Sequence, residues 1–169
     1  MEAVEAILTR RSIRKYTDKP VADGLVTELL RAAMAAPSAG NQQPWHFIVV
    51  RDRALLEGIA AFHPYGAMTR QAALAVVVCA DLKLEQRPGF WVQDCSAATQ
   101  NLLLAAHARG LGAVWLGVYP RPERVEATRS LFSLPEHVVP LAIVPIGHPA
   151  ESPAPADRYD PRRVHFDRW

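Results

Sequence analysis

The apolar positions along the chain fall into two rhythms. Helical spacing comes first. Glu5 to Arg11 predicts a short helix, and Asp23, read as an N-cap, opens a second that runs through Met34 with Leu25, Leu29, Leu30 and Ala33 on one face. Pro37 closes that segment. His46 to Val50 predicts a strand, and Leu55 to Phe62 a short helix. Leu74 to Ala80 is then a continuous apolar run bounded by polar residues, the pattern of a strand buried on both faces.

Gly89 to Arg109 returns to the helical rhythm, with polar positions that are small or amide-bearing: Gln93, Ser96, Thr99, Gln100 and Asn101. A helix apolar on nearly every face needs cover all round, so a central, buried helix is expected there. Gly110 and Gly112 read as its C-cap, Ala113 to Val118 as a strand, Glu123 to Phe132 as a helix and Val138 to Ile146 as a further strand. Helices and strands alternating over one sheet make a layered α/β or α+β domain the expected solution. From Pro149 the periodicity stops. The stretch "PAESPAPADRYDPRRVHFDRW" holds Pro149, Pro153, Pro155 and Pro161 and reads as an extended C-terminal arm over 149–169. Fully extended it would reach about 65 Å, against a radius of gyration of about 15 Å for a chain of this length, enough to cross a neighbouring subunit. Tyr159, Val164, Phe166 and Trp169 are too apolar for a purely solvated tail, so the arm is expected to dock.

Composition narrows the function class. With 169 residues, 50% of them hydrophobic, a single domain over 1–169 is expected. No apolar run reaches the roughly 18 residues of a membrane span, and the acidic start lacks the basic flank of a signal peptide, which points to a cytoplasmic protein with no membrane partner. Cys79 and Cys95 lie in apolar stretches without metal-ligand spacing and read as buried free thiols, so no metal site is expected. A net charge of +2 gives no argument for nucleic acid, but its placement is local. One basic cluster is Arg10, Arg11, Arg14, Lys15 and Lys19; the other is Arg158, Arg162, Arg163 and Arg168. Taken alone, each reads equally as a solvated face.

Between the second helix and the first strand lies "APSAGNQQPWHF", Ala36 to Phe47, a connection dense in amides and turn formers. Together with "RRSIRKY" at Arg10 to Tyr16, "GLGAVWLGVYP" at Gly110 to Pro120, "PIGHPAE" at Pro145 to Glu151 and the closing "DRYDPRRVHFDRW", it resembles the FMN-dependent nitroreductase family in order and spacing over essentially the whole chain. The resemblance implies an α+β, three-layer fold with a mixed central sheet flanked by helices, and a homodimer with domain-swapped C-terminal arms and FMN at the subunit interface. It also implies NADH or NADPH as reductant and a small-molecule electron acceptor such as a nitroaromatic or a quinone.

The residue types offer a partner for each part of FMN. Arg10, Arg11 and Ser12 suit phosphate or ribityl oxygens through charge-assisted and hydroxyl hydrogen bonds, and Arg162 or Arg163 could close on the phosphate from the arm. By resemblance Arg14 sits beside the N1/C2 edge of the flavin, where negative charge gathers on reduction; its alternative is a surface arginine paired with Asp18 or Glu5. Pro37, Ser38, Ala39 and Asn41 resemble the flavin loop supplied by the other subunit, with Trp45 and Phe47 anchoring its exit and His46 facing solvent. Leu116 and Gly117 correspond to the pair whose backbone N–H approaches flavin N5, where the missing Cβ permits a close approach. No nucleophile–base–acid set is evident, as suits chemistry carried by the cofactor. Where larger relatives hold an amide and a lysine near the pyrimidine ring, this chain has Tyr65 and Met68, which would leave Arg14 as the only cation at that edge. Leu82 to Pro88 is too short for lid helices, so an open pocket is expected. The alternatives are a non-catalytic FMN-binding carrier or sensor module and a family-related flavin-dependent dehydrogenase.

Overall fold

The computed structural model describes residues 1–154 and 156–169, so Pro155 of the arm lies outside the described residues. The apolar run in mid-chain becomes β2 (Leu74–Asp81), the centre of the sheet. It pairs on one side with β1 (Trp45–Val50), Trp45 opposite Ala80, and on the other with β5 (Val138–Gly147), Leu74 opposite Ile146. Beyond β5 lie β3 (Gly112–Ala113) and β4 (Leu116–Gly117). Every described pairing is antiparallel, so the α+β class holds while the expected mixed sheet is corrected to an antiparallel one.

Alternate side chains of a strand point to opposite faces, and β2 divides its apolar run accordingly. Leu74, Val76, Val78 and Ala80 join one core with α2 (Asp23–Met34) and α4 (Trp91–Ala108). Ala75, Val77 and Cys79 join a second core with α3 (Arg53–Phe62) and α5 (Pro122–Phe132). Three layers result because a strand without a polar face requires helices above and below it. No helix among the described residues is long and apolar enough to cross a membrane.

Local chemistry sets the boundaries. Asp52 caps α3 by accepting from the N–H groups of Ala54 and Leu55. Asp23 is the first residue of α2 and not its cap, Ala22 standing there, and its carboxylate instead takes Arg51 at 2.8 Å. α1 covers Ala3–Thr9, ending earlier than Arg11 because the Arg11 side chain takes the carbonyls of Leu8 and Arg10. Gly110, at φ +73°, closes α4: its N–H donates to His107 O and that of Leu111 to Ala106 O, a Schellman motif. Gly112 does not cap. A Cβ there would come within 2.6 Å of Ile13, so this glycine makes room for the segment that follows α1.

The single strand expected over Ala113 to Val118 is broken into β3 and β4. The gap at Val114 and Trp115 faces Val144 and Pro145 of β5, and proline has no N–H to give to the ladder. A bulge at Leu141 shifts the β2–β5 register, and its carbonyl accepts from both Val118 and Tyr119.

The chain after α1 is strapped along this far edge. Ile13 N–H donates to Ala113 O, Thr17 N–H to His148 O, and Tyr16 forms a bridge with Pro149. The Tyr16 hydroxyl donates within reach of Ile13 O at 2.7 Å and Pro145 O at 3.3 Å, and burial, with the Glu151 charge behind it, raises its pKa far above the usual phenol value. Glu151 in turn accepts the N–H groups of Arg14 (2.5 Å) and Lys15 (3.2 Å). The N-terminal basic segment and the root of the arm are thereby one structure. Gly112→Ala is expected to destabilise the protein by about 1–3 kcal/mol through overpacking against Ile13, read from urea unfolding; an unchanged midpoint would mean that Ile13 moves aside.

Candidate functional site

Arg10 follows the last turn of α1 and borders a cleft of about 490 Å³ whose walls are Ile7 to Arg11 on one side and Ala156 to Tyr159 of the arm on the other. Its guanidinium is held below its ordinary pKa, first by burial and then by repulsion from Arg158 and Arg11. Neither Arg10 nor Arg158 has an ion-pair partner among the described residues. Asp157, also in the cleft, accepts from the N–H of Tyr159. A partly desolvated cation repelled by a second one, with neither in an ion pair, fits a dianionic group such as a phosphate.

Arg11 is used differently. Four of its five N–H groups go to the carbonyls of Leu8, Arg10, Ala154 and Ala156, so it fastens the arm to α1 and keeps one donor in reserve. Ser12 is half-buried beside it, its hydroxyl without a hydrogen bond among the described residues. Arg14 is exposed and pairs with neither Asp18 nor Glu5. Arg162 and Arg163, side chains 87% and 85% exposed, both turn to Asp160, Arg162 with two bonds of 2.9 and 3.0 Å. Within one chain the arm therefore brings Arg158, not Arg162 or Arg163, to Arg10. Membership of the same basic cluster was the only sign of Arg158 in the sequence.

The Ala36 to Phe47 connection is rigid for reasons the sequence reading missed. Asp94, 4% exposed in the first turn of α4, accepts from the N–H of Ala39 at 2.9 Å and from Gln42 Nε2 at 2.6 Å. Gln42, also buried, spends its carbonyl oxygen on the N–H groups of Gln86 and Arg87, both at 2.9 Å. One carboxylate and one amide thus join the loop, α4 and the 82–90 segment. The only available signal was Asp94 itself, the one acid in a largely apolar helix. Gly40, Asn41 and Gln43 take positive φ, and the Ser38 hydroxyl accepts from the Gln43 N–H. This leaves Pro37 and Asn41 exposed and Ser38 and Ala39 half-buried, beside a cleft of about 330 Å³ shared with Phe90, Gln93, Asp94 and Ala97. Trp45 is buried, Phe47 packs on the core and His46 faces outward, as expected.

Leu116 and Gly117 lie on the outermost part of the sheet. The Val118 N–H donates to Leu141 O, so in an antiparallel register the amide and carbonyl of Gly117 both face away from β5. The carbonyl accepts from His63 Nε2 at 3.0 Å and Arg124 at 2.9 Å. A Cβ on Gly117 would meet nothing within 4 Å. An outward N–H with open space above it fits a flat ring acceptor. Among the described residues the Arg10 cleft and the Pro37–Ala39 cleft share no lining residue, and no hydrogen bond joins either to Gly117.

A model of the nitroreductase family matches residues 7–63 and 61–148. The chain is 58% identical over 169 residues to a protein of Methanothermobacter thermautotrophicus named as an NADH dehydrogenase/NAD(P)H nitroreductase, covering 100% of this chain and 88% of that one. A crystal structure from Parabacteroides distasonis with the same name superposes with a TM-score of 0.95 at 44% identity, over 99% of this chain and 98% of that one. A nitroreductase from Desulfovibrio desulfuricans, solved in complex with FMN, superposes with a TM-score of 0.88 at 35% identity, over 100% and 98%.

Asp94→Ala is expected to cost about 2–4 kcal/mol, since it strands the Ala39 N–H and the Gln42 amide in a buried site; thermal or urea unfolding of the apoprotein measures it. Burial holds the pKa of His63 below its ordinary value, so the unfolded chain takes up the proton first. The resulting stability is fully present above about pH 6.5 and is lost as pH falls toward the lower folded-state value. His63→Phe should flatten that part of the stability–pH curve.

Proposed function

This chain belongs to the nitroreductase family, and on that premise we propose that it is a cytoplasmic FMN-dependent NAD(P)H oxidoreductase. It acts as a homodimer and passes two electrons from NADH or NADPH to a nitroaromatic, a quinone or a similar small acceptor. The observation that carries this reading is the Arg10–Arg158 cleft, where a half-buried arginine stands against a second, exposed one, neither in an ion pair among the described residues, and a phosphate would relieve their repulsion.

FMN, when bound, accepts hydride at ring N5 and gives up two electrons. The chain binds and orients. Arg10, with Arg158 beside it, takes the phosphate, and Ser12 with its unspent hydroxyl takes a neighbouring phosphate or ribityl oxygen. Arg11 serves chiefly to hold the arm. Pro37, Ser38 and Ala39 offer a small-residue platform against the ring, Asn41 a polar contact for ribityl or pyrimidine groups, and Gly117 an N–H for N5, with Leu116 backing it from the core. Arg14, free of any acid, is the cation for the pyrimidine edge.

Proton or acyl chemistry by side chains has little support: the two thiols are buried, and burial pushes both up to about 12. A second copy is the simplest way to unite clefts that one chain keeps apart. The surfaces left bare favour this: Val4, Ile7 and Leu8 on α1, and Tyr159, Phe166 and Trp169 on the arm, are 57% to 101% exposed. In such a dimer the arm crosses its partner, and Arg162 or Arg163, tied only to Asp160 in one chain, is available to the partner's phosphate.

The purified protein is expected to be yellow, to release FMN on denaturation, and to bleach anaerobically on adding NADH or NADPH; protein that neither carries nor takes up FMN would refute the assignment. Arg10→Ala should weaken FMN binding about 10- to 150-fold, the loss of one charge-assisted contact of roughly 1.5–3 kcal/mol. Removing 156–169 should lower both FMN affinity and dimer stability in sedimentation, whereas a fully flavinated dimer without the arm would rule out its part in the site.

A further inference from the structure

The geometry points to His63 and Arg124 as positioning residues that hold the Gly117–Val118 peptide and so, across the Gly117 Cα, fix the direction in which the Gly117 N–H meets ring N5 of bound FMN, a role that rests on the reading of Gly117 given above. Two different helices send a donor to one carbonyl. His63, at the end of α3 and 2% exposed, places Nε2 3.0 Å from Gly117 O, while its Nδ1 accepts the Tyr65 N–H at 3.2 Å. With Nδ1 acting as acceptor the proton must sit on Nε2, so the neutral ring is locked as a donor to Gly117. Arg124, in the first turn of α5, gives a second N–H at 2.9 Å. Its guanidinium lies over the Tyr65 ring, 5.7 Å from the centroid. Tyr65 thus braces both donors.

This arrangement is costly if its only purpose is to satisfy a carbonyl. A C=O on the outer edge of a sheet is satisfied by water without help, yet here a buried imidazole is committed to it and Arg124 Nε is left buried with no partner among the described residues. The need arises at Gly117 itself. It has no side chain to pack, and nothing lies within 4 Å of where a Cβ would stand, so its two peptides are otherwise restrained from the β5 side, by the pairing of Leu116 with Ile143 and the Val118 bond to Leu141. His63 and Arg124 supply the opposite restraint. An N–H held toward N5 meets an acceptor in oxidised FMN and a hydrogen-bearing nitrogen in reduced FMN, so its hold is on the oxidised form.

His63→Phe removes one donor without changing charge, because the native ring is neutral. The affinity for oxidised FMN is expected to fall three- to tenfold more than that for reduced FMN, the worth of one neutral hydrogen bond. That ratio converts to a midpoint potential raised by about 15–30 mV for a two-electron couple. His63→Gln, which returns an N–H, should restore most of the ratio. In the apoproteins of His63→Phe and Arg124→Met, amide exchange at Val118 should quicken at least threefold relative to the other β5-bonded amides, with melting temperature as the control for global loss. Retained FMN with an unchanged affinity ratio in His63→Phe overturns the proposal. If that variant does not fold, unchanged Val118 exchange in Arg124→Met overturns it equally. Gly117→Val separates the two levels. Full FMN affinity in that variant sinks the Gly117 reading and the positioning role with it, whereas lost affinity there beside an unaltered His63→Phe ratio sinks the positioning role alone.

Discussion

β2 is buried on both faces, and that burial governs where everything else goes. Its seven residues from Leu74 to Ala80 are at most 1% exposed, so neither face of the central strand has room for a charge or an unpaired polar group. Helices must cover both sides, and polar chemistry is displaced to the margins: the loop before β1, the broken outer strands β3 and β4, and the chain that runs past them. The candidate site is assembled wholly from such margins.

At the far margin, backbone satisfaction and the candidate site use the same stretch of chain. Ile13, Thr17 and Ala150 extend the hydrogen bonding of the sheet edge, and Glu151 closes the N–H groups of Arg14 and Lys15. The ordering of the basic segment therefore does not depend on a ligand, and Arg10 is presented with its conformational cost already met. Arg11 extends the same logic into the arm, giving a guanidinium to carbonyls that have no strand to pair with. Of the arginines in this segment, one builds the scaffold and its neighbour is left to use it.

The loop side follows a parallel scheme with a buried anion at its centre. The first core tolerates Asp94 and Gln42 because each of their bonds is met by a backbone or amide partner. Small residues can then stand at the loop surface without the loop collapsing. Gly117 is treated likewise, pinned through its carbonyl while its own surface stays bare. In each place a residue without bulk is held by hydrogen bonds to its backbone from a buried neighbour.

Much of this architecture was legible in the chain. Periodicity located the five helices and the strands to within a few residues, since the apolar run of β2 and the amphipathic α2 reflect local preference and burial together. The motifs around Arg10, Asn41 and Gly117 marked the family. The sequence by itself could not show that β3 and β4 are separate, which requires knowing that Pro145 lies opposite the gap, nor that Gly112 yields to Ile13 and not to a helix cap. It could not distinguish Arg158 from Arg162, or Arg10 from Arg11, because neighbouring arginines carry the same charge and differ only in what folding places around them. The roles of Asp94 and His63 were not legible for the same reason: their partners lie 52 to 55 residues away. What is periodic, apolar or contiguous was determined by sequence alone, whereas the pairing of polar groups across the chain was decided only by the tertiary fold, which alone brings a donor to its acceptor.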